Sequence, residues 1–292
     1  SKVVKGSSLT LNQIQLQAQA SNGGAGASTY IVGTESLTSS LPYSRTLIVS
    51  LGKENMFALQ IDTVLAENNA STYLAFLNVN VVKDKYGNPV DIVQSGASTG
   101  SAKLVTNFTA DSTPPIFEEA FLDLSLNQLV LSFDEVIDPS SLVLPPASVV
   151  LQAQQNNADN SLPSYILTEL PLVNGGILGY TVTVALSLYD AFMIKNTTGL
   201  AKDQSTTYVA LSAGALKDVA NNANAATNTN AAVALPIVGG YIPDTLSPVF
   251  ATFEFDLNNN TLVLNFSEAV DLEKLNPTGI TLHNGAGISR PL

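Results

Sequence analysis

The chain has 292 residues, enough for about two domains of ordinary size, and its 45% hydrophobic content excludes a disordered linker. Twenty-four acidic residues against 12 basic ones give a formal net charge of -12, which is unfavourable for binding a nucleic-acid backbone. The absence of cysteine and the single histidine, His283, exclude thiol nucleophiles, disulfides and the usual zinc ligand sets within one chain.

Apolar residues at alternate positions predict short strands along the whole chain. In chain order, the segments with this alternation or with β-branched enrichment are 9–17, 46–51, 128–133, 148–153, 180–186, 208–213 and 261–266. Clusters of Gly, Asn, Pro and Asp separate them, as expected where many short strands are joined by turns. The pattern predicts an all-β fold of the sandwich type.

Helices are predicted at two places only. In the segment 186–195, Ser187 precedes Asp190 by three residues, which is typical of a helix N-cap. The residues with the spacing of one apolar helix face are Tyr189, Phe192 and Met193. The segment 51–61 carries matching apolar positions and predicts a second short helix.

The sequence repeats itself at a nearly constant spacing. Asp111–Phe117 is echoed by Asp244–Phe250, an offset of 133 residues, and the apolar positions that follow recur at the same offset. Residues 16–19 and 151–154 are both Leu-Gln-Ala-Gln, an offset of 135. Three copies of one unit are predicted. They are repeat 1 (1–110), which lacks its first strands, the complete repeat 2 (111–243), and repeat 3 (244–292), which holds only opening strands.

Two explanations of the incomplete repeats stay open. The chain is either a segment of a longer array, or repeat 3 of one molecule completes repeat 1 of the next by strand donation, giving a head-to-tail fibre. Donation is favoured because a lone repeat 3 would expose Leu262, Leu264 and Phe266. It is disfavoured because both incomplete repeats keep the strand that contains Ile14 or Ile280.

Prolines mark both predicted junctions between repeats. Pro114 and Pro115 lie at the start of repeat 2, and Pro243 and Pro248 frame the start of repeat 3. Because proline fixes its own φ and biases the preceding residue toward extended backbone, we expect stiff junctions. Successive repeats are then predicted to form a semi-rigid rod.

Recurrent carboxylates beside the junctions are the candidate metal ligands. They are Asp111, Glu135 and Asp138 in repeat 2, and Asp244, Glu268 and Asp271 in repeat 3. Calcium is the expected ion, because clustered oxygen ligands suit hard cations. The alternative is structural: such aspartates cap turns and such glutamates are solvated. A glycosidase pair is disfavoured, because an enzyme needs its active site once whereas this pattern recurs.

Five Asn-x-Ser/Thr sequons are candidate glycosylation sites. The asparagines are Asn69, Asn107, Asn196, Asn259 and Asn265. This number is close to what chance gives for the composition, so the motif carries weight only for a secreted chain.

The middle repeat combines Asp111-x-x-x-Pro115, Phe133-Asp-Glu-Val-Ile-Asp138, Thr207-Tyr-Val-Ala-Leu211 and Lys217-Asp218. In this combination it resembles the Ig-like repeat modules of large bacterial and microalgal cell-surface proteins. The helix segment 186–195 is most similar to the microalgal type. The resemblance covers nearly the whole chain and implies tandem Ig-like β-sandwich domains with one short inserted helix per unit.

The resemblance implies an extracellular or cell-surface structural protein without enzymatic activity, forming a rod or filament such as a surface fibre, hair or stalk. An adhesin or glycan-binding surface module is the alternative. The expected partners are further copies or neighbouring units of the array, with a glycan or surface partner in the adhesin case. Nucleic acid is not expected, and no apolar run approaches the roughly 20 residues of a membrane-spanning helix.

Overall fold

The structure is a computed structural model that describes residues 3–21, 26–34, 37–39, 42–91, 102–142, 149–157, 161–169, 171–173, 176–227, 234–268, 270–283 and 289–291. It consists mainly of β-sheets, with 35% strand and 17% helix. The prediction of an all-β fold is confirmed at this level. Neither of the helices described, α1 (Lys53–Gln60) and α2 (Leu188–Asn196), is long and apolar enough to cross a lipid bilayer.

The described part of repeat 1 contains one sheet of four strands and two separate strand pairs. The strands are β1 (Val4–Lys5), β2 (Ile14–Gln17), β3 (Thr29–Ile31), β4 (Leu37–Ser39), β5 (Tyr43–Ser44), β6 (Ile48–Ser50), β7 (Tyr73–Phe76) and β8 (Lys103–Leu104). The sheet has the order β3-β2-β7-β8 and is antiparallel throughout. Outside it, β1 pairs with β5 and β4 pairs with β6.

Repeat 2 contains two sheets. The strands are β9 (Phe117–Asp123), β10 (Gln128–Asp138), β11 (Val149–Gln152), β12 (Ser164–Ile166), β13 (Gly179–Ala185), β14 (Tyr208–Leu211), β15 (Lys217–Asp218), β16 (Leu235–Pro236) and β17 (Gly240–Ile242). One sheet has the order β13-β10-β9-β17, with β15 beside the end of β10, and the other has the order β12-β11-β14-β16. Only the pairing of β17 with β9 is parallel among these described pairs.

The two sheets of repeat 2 share one core. From the first sheet, Leu129, Leu131 and Phe133 of β10 are at most 1% exposed, and from the second, Leu151 and Val209 are fully buried. The alternating residues of β10 are only half-buried, as the period of two predicts. Burial of each such side chain contributes roughly 1.5–3 kcal/mol, so this shared core is the main source of stability in repeat 2.

Helix α2 starts where the N-cap pattern predicts. The Ser187 hydroxyl accepts a hydrogen bond from the Asp190 amide at 3.0 Å and caps the first turn. Helix α1 occupies the segment predicted for the second helix. The same element therefore follows the same strand region in repeats 1 and 2.

The prediction that Tyr189, Phe192 and Met193 form the buried face of α2 is wrong, because the buried face is shifted by one residue along the helix. Tyr189 is 61% exposed and Phe192 is 37% exposed, whereas Asp190, Ala191 and Ile194 are buried. Asp190 accepts hydrogen bonds from Tyr165 of β12 and from Thr168 of the loop that follows β12, and this fixes the rotation of the helix about its axis. A shift of one residue turns a helix by about 100°, so a different set of apolar residues reaches the core.

Repeat 3 is built of two hairpins. The strands are β18 (Phe250–Asp256), β19 (Thr261–Phe266), β20 (Thr281–His283) and β21 (Ser289–Pro291). Within the described residues, β18 pairs only with β19 and β20 only with β21. The β18–β19 hairpin exposes about half of each of Phe250, Phe253 and Phe255. Leu262, Leu264 and Phe266, the residues predicted to be exposed, are half-buried.

Candidate functional site

Three carboxylates meet where repeat 1 joins repeat 2. Asp111 of the connecting segment, Glu135 of β10 and Asp218 of β15 each place one oxygen within 4.8 Å of the others. The pairing of Ile137 with Asp218 brings β15 against the end of β10. Residues far apart in the sequence are thereby gathered into one acidic cluster, which we call the junction 1 cluster.

A tight turn holds Asp218 in this cluster. Its carboxylate accepts hydrogen bonds from the amide nitrogen and the side-chain nitrogen of Asn222, at 2.7 and 2.8 Å. Asn221 has a positive φ of 70°, and Gly87 in the corresponding turn of repeat 1 has a φ of 86°, as their turn patterns predict. Asp218 was missed as a site residue, because a Lys-Asp pair at a turn signals only backbone capping.

The electrostatics of the junction 1 cluster favour a proton on Glu135. Burial, followed by the neighbouring charges of Asp111, Asp218 and Asp134, raises the pKa of Glu135 from its usual 4.5 to about 8. Its Oε1 atom is buried and has no hydrogen-bond partner among the described residues. We therefore expect Glu135 to hold its proton more strongly than an ordinary glutamate.

The equivalent positions between repeats 2 and 3 are neutralised differently. Lys195 of α2 places its ammonium 2.7 Å from Asp244 and 3.8 Å from Glu268. Burial alone raises the pKa of Asp244, but the hydrogen bond and charge of Lys195, with the Leu246 amide, hold it below its usual value. The Lys195 ammonium group thus supplies the positive charge that neutralises the carboxylates at junction 2.

Helix α1 carries a glutamine where α2 carries this lysine. Gln60 stands 135 residues before Lys195, and its side-chain nitrogen lies 3.4 Å from Asp111. Its Oε1 atom, like that of Glu135, is buried and has no hydrogen-bond partner within the described part of the chain. Both junctions thus share an Asp–Glu pair, and among the residues that the structure describes only the pair at junction 2 is in contact with a cationic side chain.

Two of the predicted ligands lie outside both acidic arrangements. Asp138 accepts hydrogen bonds from the amide and hydroxyl of Ser140, at 2.9 and 2.6 Å. Asp271 accepts from the Glu273 amide at 3.0 Å and pairs with Lys274 at 3.0 Å. Both residues cap short 3₁₀ turns, which is the structural alternative stated for these carboxylates.

The junction 1 cluster has the chemistry of a hard-cation site. Calcium takes six to eight oxygen ligands, and three carboxylates with backbone carbonyls are the usual donors. Binding of a cation would replace the proton on Glu135, because both neutralise the same charges. Calcium at junction 1 stays a prediction.

Replacing Gln60 by lysine is expected to lower the pKa of Glu135 toward its usual range, because the new ammonium reproduces the contacts of Lys195. In the unmodified protein, Glu135 loses its proton near pH 4.5 in the unfolded chain but only near pH 8 in the folded chain. Between these two values the folded state binds more protons, so the free energy of unfolding falls as pH rises. Gln60→Lys should flatten that dependence. A carboxyl titration by NMR together with melting curves across the window measures both effects, and an unchanged Glu135 titration would contradict the assignment.

The five sequon asparagines are all exposed. Asn259 donates from its side chain to Asp256, and Asn265 donates to Thr252. Exposure is a requirement for glycan attachment and is common to most asparagines, so glycosylation stays a prediction.

No family model, curated protein or solved structure matches the chain. Its two junctions and its exposed strand faces are therefore the features from which we infer a function.

Proposed function

We propose that the chain is an extracellular structural repeat protein in which tandem Ig-like units form a rod or filament, such as a surface fibre, hair or stalk. The observation that carries this proposal is the return of the same elements at a spacing of 133–135 residues, with equivalent acidic contacts at both junctions. A repeated unit with repeated junctions builds length, which is the requirement of a stalk or fibre.

The strand order of repeat 2 supports an Ig-like sandwich. The chain leaves the first sheet after β10, forms β11 and β12 in the second sheet, returns to the first for β13, and crosses again for β14. Such Greek-key crossings between two antiparallel sheets are typical of Ig-like domains. The shared core between the sheets is consistent with the same architecture.

Local structure supports the equivalence of repeats 1 and 2. Asn68 caps a 3₁₀ turn with a reciprocal bond to Ser71, and Asp203 caps the equivalent turn with Thr206. The buried residue in the first turn of each helix, Asn55 or Asp190, accepts a hydrogen bond from a tyrosine hydroxyl. These polar contacts depend on a common backbone, so they support one fold encoded twice.

Both junctions are held by side-chain contacts in addition to the chain connection. At junction 1 the Tyr180 hydroxyl donates to the Lys53 carbonyl at 2.8 Å, and its ring lies 6.1 Å from that of Phe57. At junction 2 the Ser125 hydroxyl accepts a hydrogen bond from the Thr245 amide at 3.2 Å, and Lys195 pairs with Asp244 at 2.7 Å. Contacts of this kind resist bending between units, as a rod requires.

Replacing Lys195 by methionine is expected to make junction 2 more flexible, because Asp244 and Glu268 then repel each other without a cation. Lys202→Met, at an exposed lysine that makes no ion pair among the described residues, is the matched control. Small-angle X-ray scattering should show an elongated particle for the unmodified chain and the control, and a wider range of dimensions for Lys195→Met. A compact globular particle would contradict the proposed rod.

A further inference from the structure

The first and the last strand described in repeat 2 lie side by side and run in the same direction. β9 begins just after the segment that comes from repeat 1, and β17 ends just before the segment that leads into repeat 3. The paired residues, three on each strand, are Phe121 with Gly240, Leu122 with Tyr241 and Asp123 with Ile242. The two connections of repeat 2 to its neighbours therefore leave from opposite ends of one parallel strand pair.

This arrangement determines how tension along the chain loads repeat 2. A pull through both connections draws β9 toward its first residue and β17 toward its last residue, so the two strands are pulled in opposite directions along their own axes. Because the hydrogen bonds between strands run across the strands, such a pull loads all the bonds of the pair together. A pull at right angles to the strands would instead open the bonds one at a time.

The pair with β17 is the weaker of the two pairs that β9 makes. β9 has six residue pairs with β10 and three with β17. The chain that enters β9 is also fastened to β10, because the Ile116 amide donates to the Asp134 side chain at 2.7 Å and the Asp134 amide donates to the Ile116 carbonyl at 3.1 Å. Under tension, β9 should therefore stay on β10 while the pair with β17 carries the load.

Several contacts hold β17 in place beside β9. The Tyr241 ring packs against the shared core, and its hydroxyl donates to the Ala201 carbonyl at 2.5 Å. Gly240 has a φ of 124°, and a Cβ atom there would lie 3.0 Å from an aromatic ring of β9, so only glycine allows this close approach. The Ser125 hydroxyl, in the turn after β9, donates to the Pro243 carbonyl at 2.9 Å. β17 is thus fastened at both of its ends and through its central residue.

We propose that the β9–β17 pair is a mechanical clamp, which keeps repeat 2 folded when tension acts through its two junctions. This inference rests on the proposed function, because a stalk or fibre carries tension, and it names the contact that bears the load. The strands from β10 to β16 lie outside the direct path of the force until the clamp opens. Opening then removes β17 from the shared core, and the rest of repeat 2 unfolds with it.

The absence of cysteine from the chain allows force to be applied at two chosen residues. In the clamp geometry, handles are attached to Ser112→Cys and Ser247→Cys of the full chain, at exposed residues on either side of repeat 2. In the peeling geometry, the handles are attached to Leu126→Cys and Ser247→Cys. Leu126 is 63% exposed and lies in the turn after β9, at the end of the pair where β17 also ends. Single-molecule pulling at one loading rate measures the unfolding force in each geometry.

The peeling geometry is the matched control, because it opens the same strand pair in the other direction. The clamp geometry should need a force about threefold higher, since three residue pairs must part together rather than one at a time. Its two handles are 135 positions apart, so unfolding should appear as one extension of up to about 450 Å. Equal forces in the two geometries, or a stepwise extension in the clamp geometry, would overturn the clamp.

A variant within β17 gives a second test. Tyr241→Phe removes only the hydroxyl that bonds to the Ala201 carbonyl. The rate of unfolding at constant force in the clamp geometry should rise about fivefold, as expected for the loss of one hydrogen bond. Tyr86→Phe, at a tyrosine of repeat 1 that is 82% exposed, is the matched control. Equal rates in the two variants would contradict β17 as the strand that bears the load, and would overturn the clamp.

The pulling experiments and the scattering experiment on the proposed rod have separate outcomes. Equal forces in the two geometries, together with an elongated particle in solution, would overturn the clamp but leave the rod standing. A compact particle, together with a higher force in the clamp geometry, would contradict the rod but leave the clamp in repeat 2.

Discussion

Replacing Phe133 by alanine is expected to lower the free energy of unfolding of repeat 2 by about 3–5 kcal/mol, the cost of truncating a buried phenylalanine. Phe133 is 1% exposed, and its ring lies 5.6 Å from that of Phe117. The loss combines the transfer of an aromatic ring out of the core with the cavity that remains, since tightly packed neighbours relax only partly.

Repeat 3 provides a matched control for this change. Phe266 stands at the equivalent position of β19 but is only half-buried, and its ring lies 5.7 Å from that of Phe250. Phe266→Ala should cost less than about 1.5 kcal/mol in dilute solution, because little of its ring leaves a packed environment. Urea unfolding of both variants and of the unmodified chain measures the difference as a change in the free energy of unfolding. Equal losses would mean that the two strands have the same surroundings.

Replacing Asp190 by leucine is expected to destabilise repeat 2 by about 3–5 kcal/mol, because buried donors lose their acceptor. Asp190 is fully buried and accepts from the Tyr165 hydroxyl at 2.7 Å, from the Thr168 hydroxyl at 2.8 Å and from two backbone amides. Removal of the carboxylate leaves all of these donor groups in the core without their hydrogen-bond acceptor.

The conservative variant Asp190→Asn should lower the free energy of unfolding of repeat 2 by only about 1 kcal/mol, the net contribution of a single hydrogen bond. Repeat 1 has an asparagine at the equivalent position, since Asn55 accepts hydrogen bonds from the Tyr30 hydroxyl and the Gly33 amide. Chemical denaturation of the three proteins at neutral pH tests the order. A leucine variant as stable as the asparagine variant would show that the buried bonds contribute little.

The same pair of proteins has a defined pH dependence. Burial by itself raises the pKa of Asp190, but hydrogen bonds from Tyr165, Thr168 and Glu169 outweigh it and hold the pKa below its usual value. The ionised carboxylate therefore stabilises the fold above the unfolded pKa of about 3.9, and this contribution is lost as pH falls through the folded pKa. The stability difference between the unmodified chain and Asp190→Asn should shrink in acid.

The sequence predicted local elements where one residue pattern dominates. The alternation of Leu129, Leu131 and Phe133 predicted β10, and Ser187 with Asp190 predicted the start of α2. These patterns depend on contacts between near neighbours in the chain, such as a cap or a one-sided strand. They did not predict the rotation of α2, because its apolar residues lie on more than one face and a distant loop selects among them.

The candidate site was predicted only in part for the same reason. Asp111 and Glu135 stood out as carboxylates recurring beside a junction, whereas Asp218 looked like an ordinary turn residue. Its position beside Glu135 depends on the pairing of β15 with β10, and no local pattern encodes such a long-range pair. The raised pKa of Glu135 follows from that arrangement and from the glutamine at position 60.

By itself, the amino-acid sequence determined the all-β composition, the repeat spacing and the turns, because these depend on side-chain periodicity and local backbone preferences. Only the tertiary structure decided which recurring positions are covered and which charges meet. Burial and electrostatic neutralisation depend on what lies across a sheet or a junction, so the same apolar alternation is fully buried in β10 and only half-buried in β19.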